Sequence, residues 1–178
     1  WQTHTGSSVL GELGLERLTA IYYPALASGE GAEATNSPTG FPVIFFEHAG
    51  GSHYLNYDVI FSFLASHGLV IVSTDHVGVD SAGLGWGNPI WWDSHNQLFI
   101  DTIEEFEDWN ETEGHPFEGL MDFARMGLAG HSHGSALLSM QNFGPMLPLA
   151  DLDVRGVALL APCPDEAIEM YMSAYAGM

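Results

Sequence analysis

Residues 126–140 read MGLAGHSHGSALLSM: an apolar run, then one serine between two histidines and two glycines, then an apolar-striped segment. Ser132 in such a stretch is either a helix cap or a nucleophile, and its flanks decide between the two. Met126 to Gly130 predicts a short buried strand, and HGSALLSMQNF (residues 133–143) predicts a helix. Gly130-His131-Ser132-His133-Gly134 therefore matches the G-x-S-x-G turn on the correct side of both elements. A sharp strand-to-helix turn lifts a serine oxygen out of a sheet, and side chains at the two glycine positions would collide with neighbouring backbone. The same turn puts Ser132 at a helix N-terminus, where free N–H groups and the helix dipole favour an oxyanion.

Acyl transfer needs two backbone donors aimed at that oxyanion. His133 supplies one through its N–H. The other is expected from EHAGGSHY (residues 47–54), which follows the apolar run Val43 to Phe46; Gly50 is the assignment, with Gly51 next. Small residues there let backbone approach a substrate closely.

The rest of the chain alternates strand and helix. ERLTAIYYPA (residues 16–25) reads as a strand ending at Pro24, and residues 26–40 as an exposed loop. Residues 57–68 place Val59, Ile60, Phe63 and Leu64 on one helical face, with Gly68 at the helix end. LVIVSTDH (residues 69–76) is a second buried strand, and residues 77–93 a long loop carrying Trp86, Trp91 and Trp92. A helix is expected to start at Ser94, capped through Gln97, with Phe99, Ile103 and Phe106 on its stripe. VRGVALLAP (residues 154–162) predicts a strand and DEAIEMYMSAY (residues 165–175) a helix. The fold class is α/β: one domain over residues 1–178, with a mostly parallel sheet covered by helices on both faces.

Composition limits the partners. Twenty-three acidic residues against three arginines and no lysine give a net charge of −20. Nothing in such a chain neutralises phosphates, which excludes nucleic acid and anionic membrane surfaces. A lysine-free acidic surface suits high salt, where self-repulsion is screened. Cys163 stands alone, so no internal disulfide forms. No apolar run reaches the length of a membrane span and no leader precedes Trp1; the reading is a soluble chain, compatible with secretion, whose compartment is not encoded. Asn110-Glu111-Thr112 forms a glycosylation-type triplet.

In order along the chain, YYPA, VIFFEHAGG, LASHGLVIVSTDH and RMGLAGHSHG resemble the α/β-hydrolase fold. The resemblance is narrower to the branch of platelet-activating-factor acetylhydrolases, chlorophyllases, dienelactone-hydrolase-like enzymes and cutinase-like polyester hydrolases. It covers residues 17–164 and implies a serine esterase, with Ser132 as nucleophile and Gly50 as the first oxyanion donor. Ala49 stands where the family usually has glycine. By position, APCPD (residues 161–165) falls beside the acyl site, so Cys163 joins Tyr54 and Trp86 as expected substrate-binding residues, with Trp91 and Trp92 as further pocket candidates.

Nine histidines raise a metal reading, but no HExxH pair is present, and the turn would aim His131 and His133 in different directions. No metal and no cofactor are expected; the partner is a small-molecule or polymer ester. The fold's order of nucleophile, acid and histidine requires the last two to follow Ser132, yet the only later histidine is His133. Asp165 is the best local acid. The chain is thus expected to be the nucleophile-bearing part of a longer hydrolase, incomplete at its C-terminus and weakly active alone, unless His48, His53 or His76 serves as base. The competing reading is a non-catalytic binding module on the same scaffold.

Overall fold

The computed structural model describes residues 1–8, 15–75, 89–143 and 152–162. Within them lie β1 (Gln2–Ser8), β2 (Leu15–Tyr22), β3 (Phe41–Glu47), β4 (Val70–Asp75), β5 (Met121–His131) and β6 (Val154–Leu160). The helices are α1 (Asp58–Ser66), preceded by a 3-10 turn at Tyr54–Tyr57, α2 (Pro89–Glu111) and α3 (His133–Phe143). The strands form one sheet in the order β1-β2-β4-β3-β5-β6. β4, β3, β5 and β6 run parallel, and β2 joins β4 antiparallel with β1 antiparallel outside it.

Side-chain alternation sorts the central strands onto two faces. Val43, Phe45, Val70, Val72 and Leu128 meet Phe99, Ile103 and Phe106 of α2 and Leu138 of α3 in one cluster. Phe46, Ile71 and Ala129 meet Phe61 and Ala65 of α1 in the other. Helices thus cover both faces, as the alternation of elements predicts. Each large side chain buried in this way contributes roughly 1.5–3 kcal/mol. β4 is buried along its whole length, which is why Val70 to Val72 run apolar without alternation and the polar Ser73, Thr74 and Asp75 that follow are buried too.

Three expectations are corrected. Of the α1 face predicted from Val59, Ile60, Phe63 and Leu64, only Leu64 packs against the core; Val59 and Phe63 are 84% and 58% exposed, and Phe61 and Ala65, one turn apart, are the residues buried with it. Gly68 does lie just past the helix end, and its φ of 86° turns the chain so that the Leu69 N–H reaches back to the Leu64 carbonyl at 3.3 Å. Second, α2 begins at Pro89 rather than Ser94, so Trp91 and Trp92 belong to a helix and not to a loop. Proline suits a first helical turn, and Gln97 bonds Asp101 at 2.7 Å instead of capping. Third, the strand expected at residues 126–130 extends back to Met121. Residues 76–88 and the helix expected at 165–175 lie outside the described residues.

That longer strand is interrupted. Phe41 and Pro42 pair with Met121 and Asp122, but Ile44 pairs with Gly127, so residues 123–126 bulge against Val43. The Asp122 carboxylate accepts the Ala124 N–H at 3.0 Å and ion-pairs with Arg125, which also donates to the Gly40 carbonyl at 3.1 Å. At the strand's start, the Asn110 amide accepts the Met121 N–H at 2.8 Å and donates to the Met121 carbonyl at 3.0 Å. The asparagine of the glycosylation-type triplet is therefore a clamp between α2 and β5.

The connection through α1 carries the chain from β3 to β4 on one side of β3. The connection through α2 brings it back across β3 to β5 on the other. The order reverses there, so the carboxyl ends of β3 and β5 form the switch point at which open α/β sheets bind ligands.

Candidate active site

Glu47 and Gly130 share the last rung between β3 and β5. The glycine loop that follows Glu47 and the turn at Ser132 thus start from one level of the sheet. Ser132 has a φ of 52°, the left-handed region that L-residues other than glycine seldom occupy. It joins β5 directly to α3. A Cβ on Gly130 would lie 2.5 Å from the Gly134 carbonyl carbon, and a Cβ on Gly134 would collide with the backbone of Glu47. The steric reason inferred for both glycines is thus the geometry found. The Ser132 N–H donates to the Leu160 carbonyl at 2.9 Å, and its carbonyl accepts the Ala136 N–H at 3.1 Å. Buried Ser135 sets its hydroxyl between the carbonyls of Gly130 and Leu160, pinning the turn to the end of β6.

The loop after β3 is moored at two points. Asp75, buried at the end of β4, accepts the Tyr54 N–H at 3.1 Å and holds His53 Nε2 at 2.6 Å. His48 Nε2 lies 3.4 Å from the same carboxylate, while His48 Nδ1 contacts the Ala49 carbonyl at 2.8 Å. A buried carboxylate requires such partners. His53 Nδ1 in turn accepts the Leu55 N–H at 3.2 Å, so both nitrogens of this ring are engaged. The second mooring is Tyr57, whose hydroxyl accepts the Ala49 N–H at 3.0 Å and contacts His131 Nδ1 at 2.8 Å.

The imidazole of His133 turns into the protein, buried edge-on against His95 with ring centroids 5.6 Å apart. Tyr54, expected in a substrate pocket, is 5% exposed and packs in the cluster beneath α1. Burial first, then the Asp75 carboxylate, pushes its phenol above the ordinary range. Trp86, Cys163, Asp165 and His76 lie outside the described residues. Among the described residues, no three His, Cys, Asp or Glu side chains group as metal ligands, and no helix is long and apolar enough to cross a membrane. Sequence reasoning missed Tyr57, Asp75 and His95. Their partners are distant in the chain, and no motif carries them.

No family model matches the chain, and no curated protein matches it. Solved structures do. A ferulic acid esterase from Streptomyces cinnamoneus matches over 98% of this chain and 69% of its own, at 16% identity and a TM-score of 0.61. A probable hydrolytic enzyme from Pseudomonas aeruginosa PAO1 matches over 90% of this chain and 41% of its own, at 15% identity and a TM-score of 0.57. Esterase 2 of Thermogutta terrifontis, phosphorylated by paraoxon, matches over 90% of this chain and 57% of its own, at 13% identity and a TM-score of 0.55. The chain thus spans about half the length of the latter two. At these identities the likeness is one of fold, and the fold is the α/β-hydrolase fold.

Proposed function

We propose that the chain is the nucleophile-bearing part of a cofactor-independent serine esterase. Ser132 attacks the ester carbonyl, a histidine takes its proton, the alcohol leaves, and water releases the acyl group from the serine. The N–H groups of Gly50 and His133 receive the tetrahedral oxyanion. Esters with an apolar acyl or alcohol part, lipid-like or polymeric, are the substrate class we favour from the resemblance to cutinase-like and acetylhydrolase enzymes. The observation that carries the reading is the left-handed Ser132 between two sterically required glycines, one strand away from a glycine loop.

The same geometry bears on the base. Both His53 nitrogens are engaged and both His48 nitrogens face oxygens, so these rings serve the Asp75 mooring. We place the general base and its orienting acid outside the described residues, with Asp165 the best local candidate acid.

The test is labelling with a fluorophosphonate probe, which reacts only with an activated serine. The reading expects one adduct on the peptide containing Ser132, absent from Ser132→Ala. Equal labelling of both proteins would remove the assignment. An unlabelled but folded full-length protein would favour the scaffold as a binding module instead.

A further inference from the structure

An oxyanion site built from two loops has a positioning problem that the sheet does not solve. The rung between Glu47 and Gly130 fixes the ends of β3 and β5, but Gly50 lies three residues beyond it. Donors must meet the oxyanion at hydrogen-bond distance, and an error near 1 Å costs about 100-fold in rate. Asp75 holds the far side of the loop through His53 and Tyr54. That mooring ties the loop to β4, on the opposite side of β3 from Ser132.

The near side is tied to the serine turn itself, through one hydroxyl. The phenol oxygen of Tyr57 accepts the N–H of Ala49, the residue before Gly50, and contacts Nδ1 of His131, the residue before Ser132. The ring that carries it has little freedom. It stacks on Phe61 with centroids 5.6 Å apart and 18° between planes, leans on Phe46 at 4.8 Å, and meets the His131 ring nearly edge-on at 5.8 Å. The bond to Ala49 also removes that N–H from the donors open to a substrate, which makes Gly50 the next backbone donor along the loop.

We propose that Tyr57 is a positioning residue that locks the Gly50 donor to Ser132 by joining the Ala49 amide to the His131 imidazole. The proposal rests on the reading of Ser132 as nucleophile and Gly50 as donor. Tyr57 touches neither substrate nor reacting atoms. Its loss loosens an interaction that matters most in the transition state, so turnover falls while substrate binding persists.

The experiment is Tyr57→Phe in the full-length protein, which keeps the ring and deletes the hydroxyl. On a short p-nitrophenyl ester, kcat should fall by roughly tenfold or more with KM unchanged, and labelling of Ser132 by a fluorophosphonate should slow in parallel. Amide hydrogen exchange at Ala49 should lose protection while the central strands keep theirs. His131→Phe should show the same kcat loss, and the double variant little more, because both act through one bridge. Wild-type kcat in folded Tyr57→Phe, or additive losses in the double variant, would overturn the proposal. So would a fall in melting temperature with kcat unchanged, which is the mark of a merely structural tyrosine. The two readings part at the wild type: a protein that never labels sinks the serine assignment and the Tyr57 role together. A wild type that labels at the rate of Tyr57→Phe sinks only the latter.

Discussion

Gly134 of α3 packs its α-carbon against the backbone of Glu47, the last residue of β3, so closely that no side chain fits between them. Gly134→Ala is therefore expected to push α3 off the sheet and to cost about 1–3 kcal/mol. Denaturant unfolding measures it. Gly156→Ala in β6 is the control, since a Cβ there meets nothing within 4 Å. Equal stabilities of the two variants would contradict the contact.

Ser132 holds a φ of 52° that costs an L-residue about 1 kcal/mol and costs glycine nothing. Ser132→Gly should raise the unfolding free energy by about that amount while Ser132→Ala leaves it unchanged. A glycine variant no more stable than wild type would mean that the turn stores no strain.

Gly50→Pro deletes the proposed backbone donor. Removing such a donor elsewhere has cost roughly 3 kcal/mol, about 100-fold in turnover. We expect kcat to fall by that order in a variant that unfolds at the wild-type temperature. Unchanged turnover in the full-length protein would move the donor to another residue.

Much of the sheet was legible because buried parallel strands write themselves as short apolar runs between glycine-rich turns. Val43 to Phe46 and Val70 to Val72 are of this kind, and residues 133–143 form the helix that their pattern predicts. The misses have physical causes. β1 carries no apolar alternation, since QTHTGSS forms a strand by pairing with β2 at the sheet's edge. The α1 stripe held only at Leu64, because that helix buries a narrow strip, Phe61, Leu64 and Ala65, and leaves Val59, Ile60 and Phe63 in solvent. At the candidate site, the glycine pattern announced the turn, because sterics at Gly130 and Gly134 admit few alternatives. Tyr57 stayed invisible because its partner His131 is 74 residues away and joins it only in the folded chain.

Asn110 satisfies both backbone groups of Met121 with one amide. Asn110→Ala leaves a buried N–H and a carbonyl without that partner, an expected loss of about 2 kcal/mol. Asn110→Asp keeps the acceptor but sets a carboxylate against the Met121 carbonyl, and should not rescue it. Expression in a glycosylating host should leave Asn110 unmodified, and mass spectrometry of its peptide checks this.

Glu107 on α2 has its pKa raised, first by burial and then by Glu111, Asp108 and Glu104. A folded-state pKa above the unfolded value of about 4.5 means that folding disfavours the charged form. Stability is thus lost as pH rises from the unfolded value through the raised one. Glu107→Gln should raise the melting temperature at pH 7 and make no difference at pH 3, where both states hold the proton. Added monovalent salt should narrow the pH 7 gap and also raise the wild-type melting temperature, because the net charge of −20 is screened over about 10 Å at 0.1 M. A melting temperature that is flat from low to molar salt would show that the acidic surface is no salt adaptation.

The excursion at residues 123–126 gives β5 a slip joint. Upstream of it the strand is anchored by Met121 and Asp122; downstream, Gly127 to His131 takes its register from Ile44 to Glu47 on one side and from β6 on the other. Slack introduced at Ala124 and Arg125, short of the Met126–Val154 pair, meets that downstream register before it reaches the serine turn. The strand's lower half is therefore a place where length can be traded, by insertion or by grafted sequence, with the reacting end of the sheet left in tune.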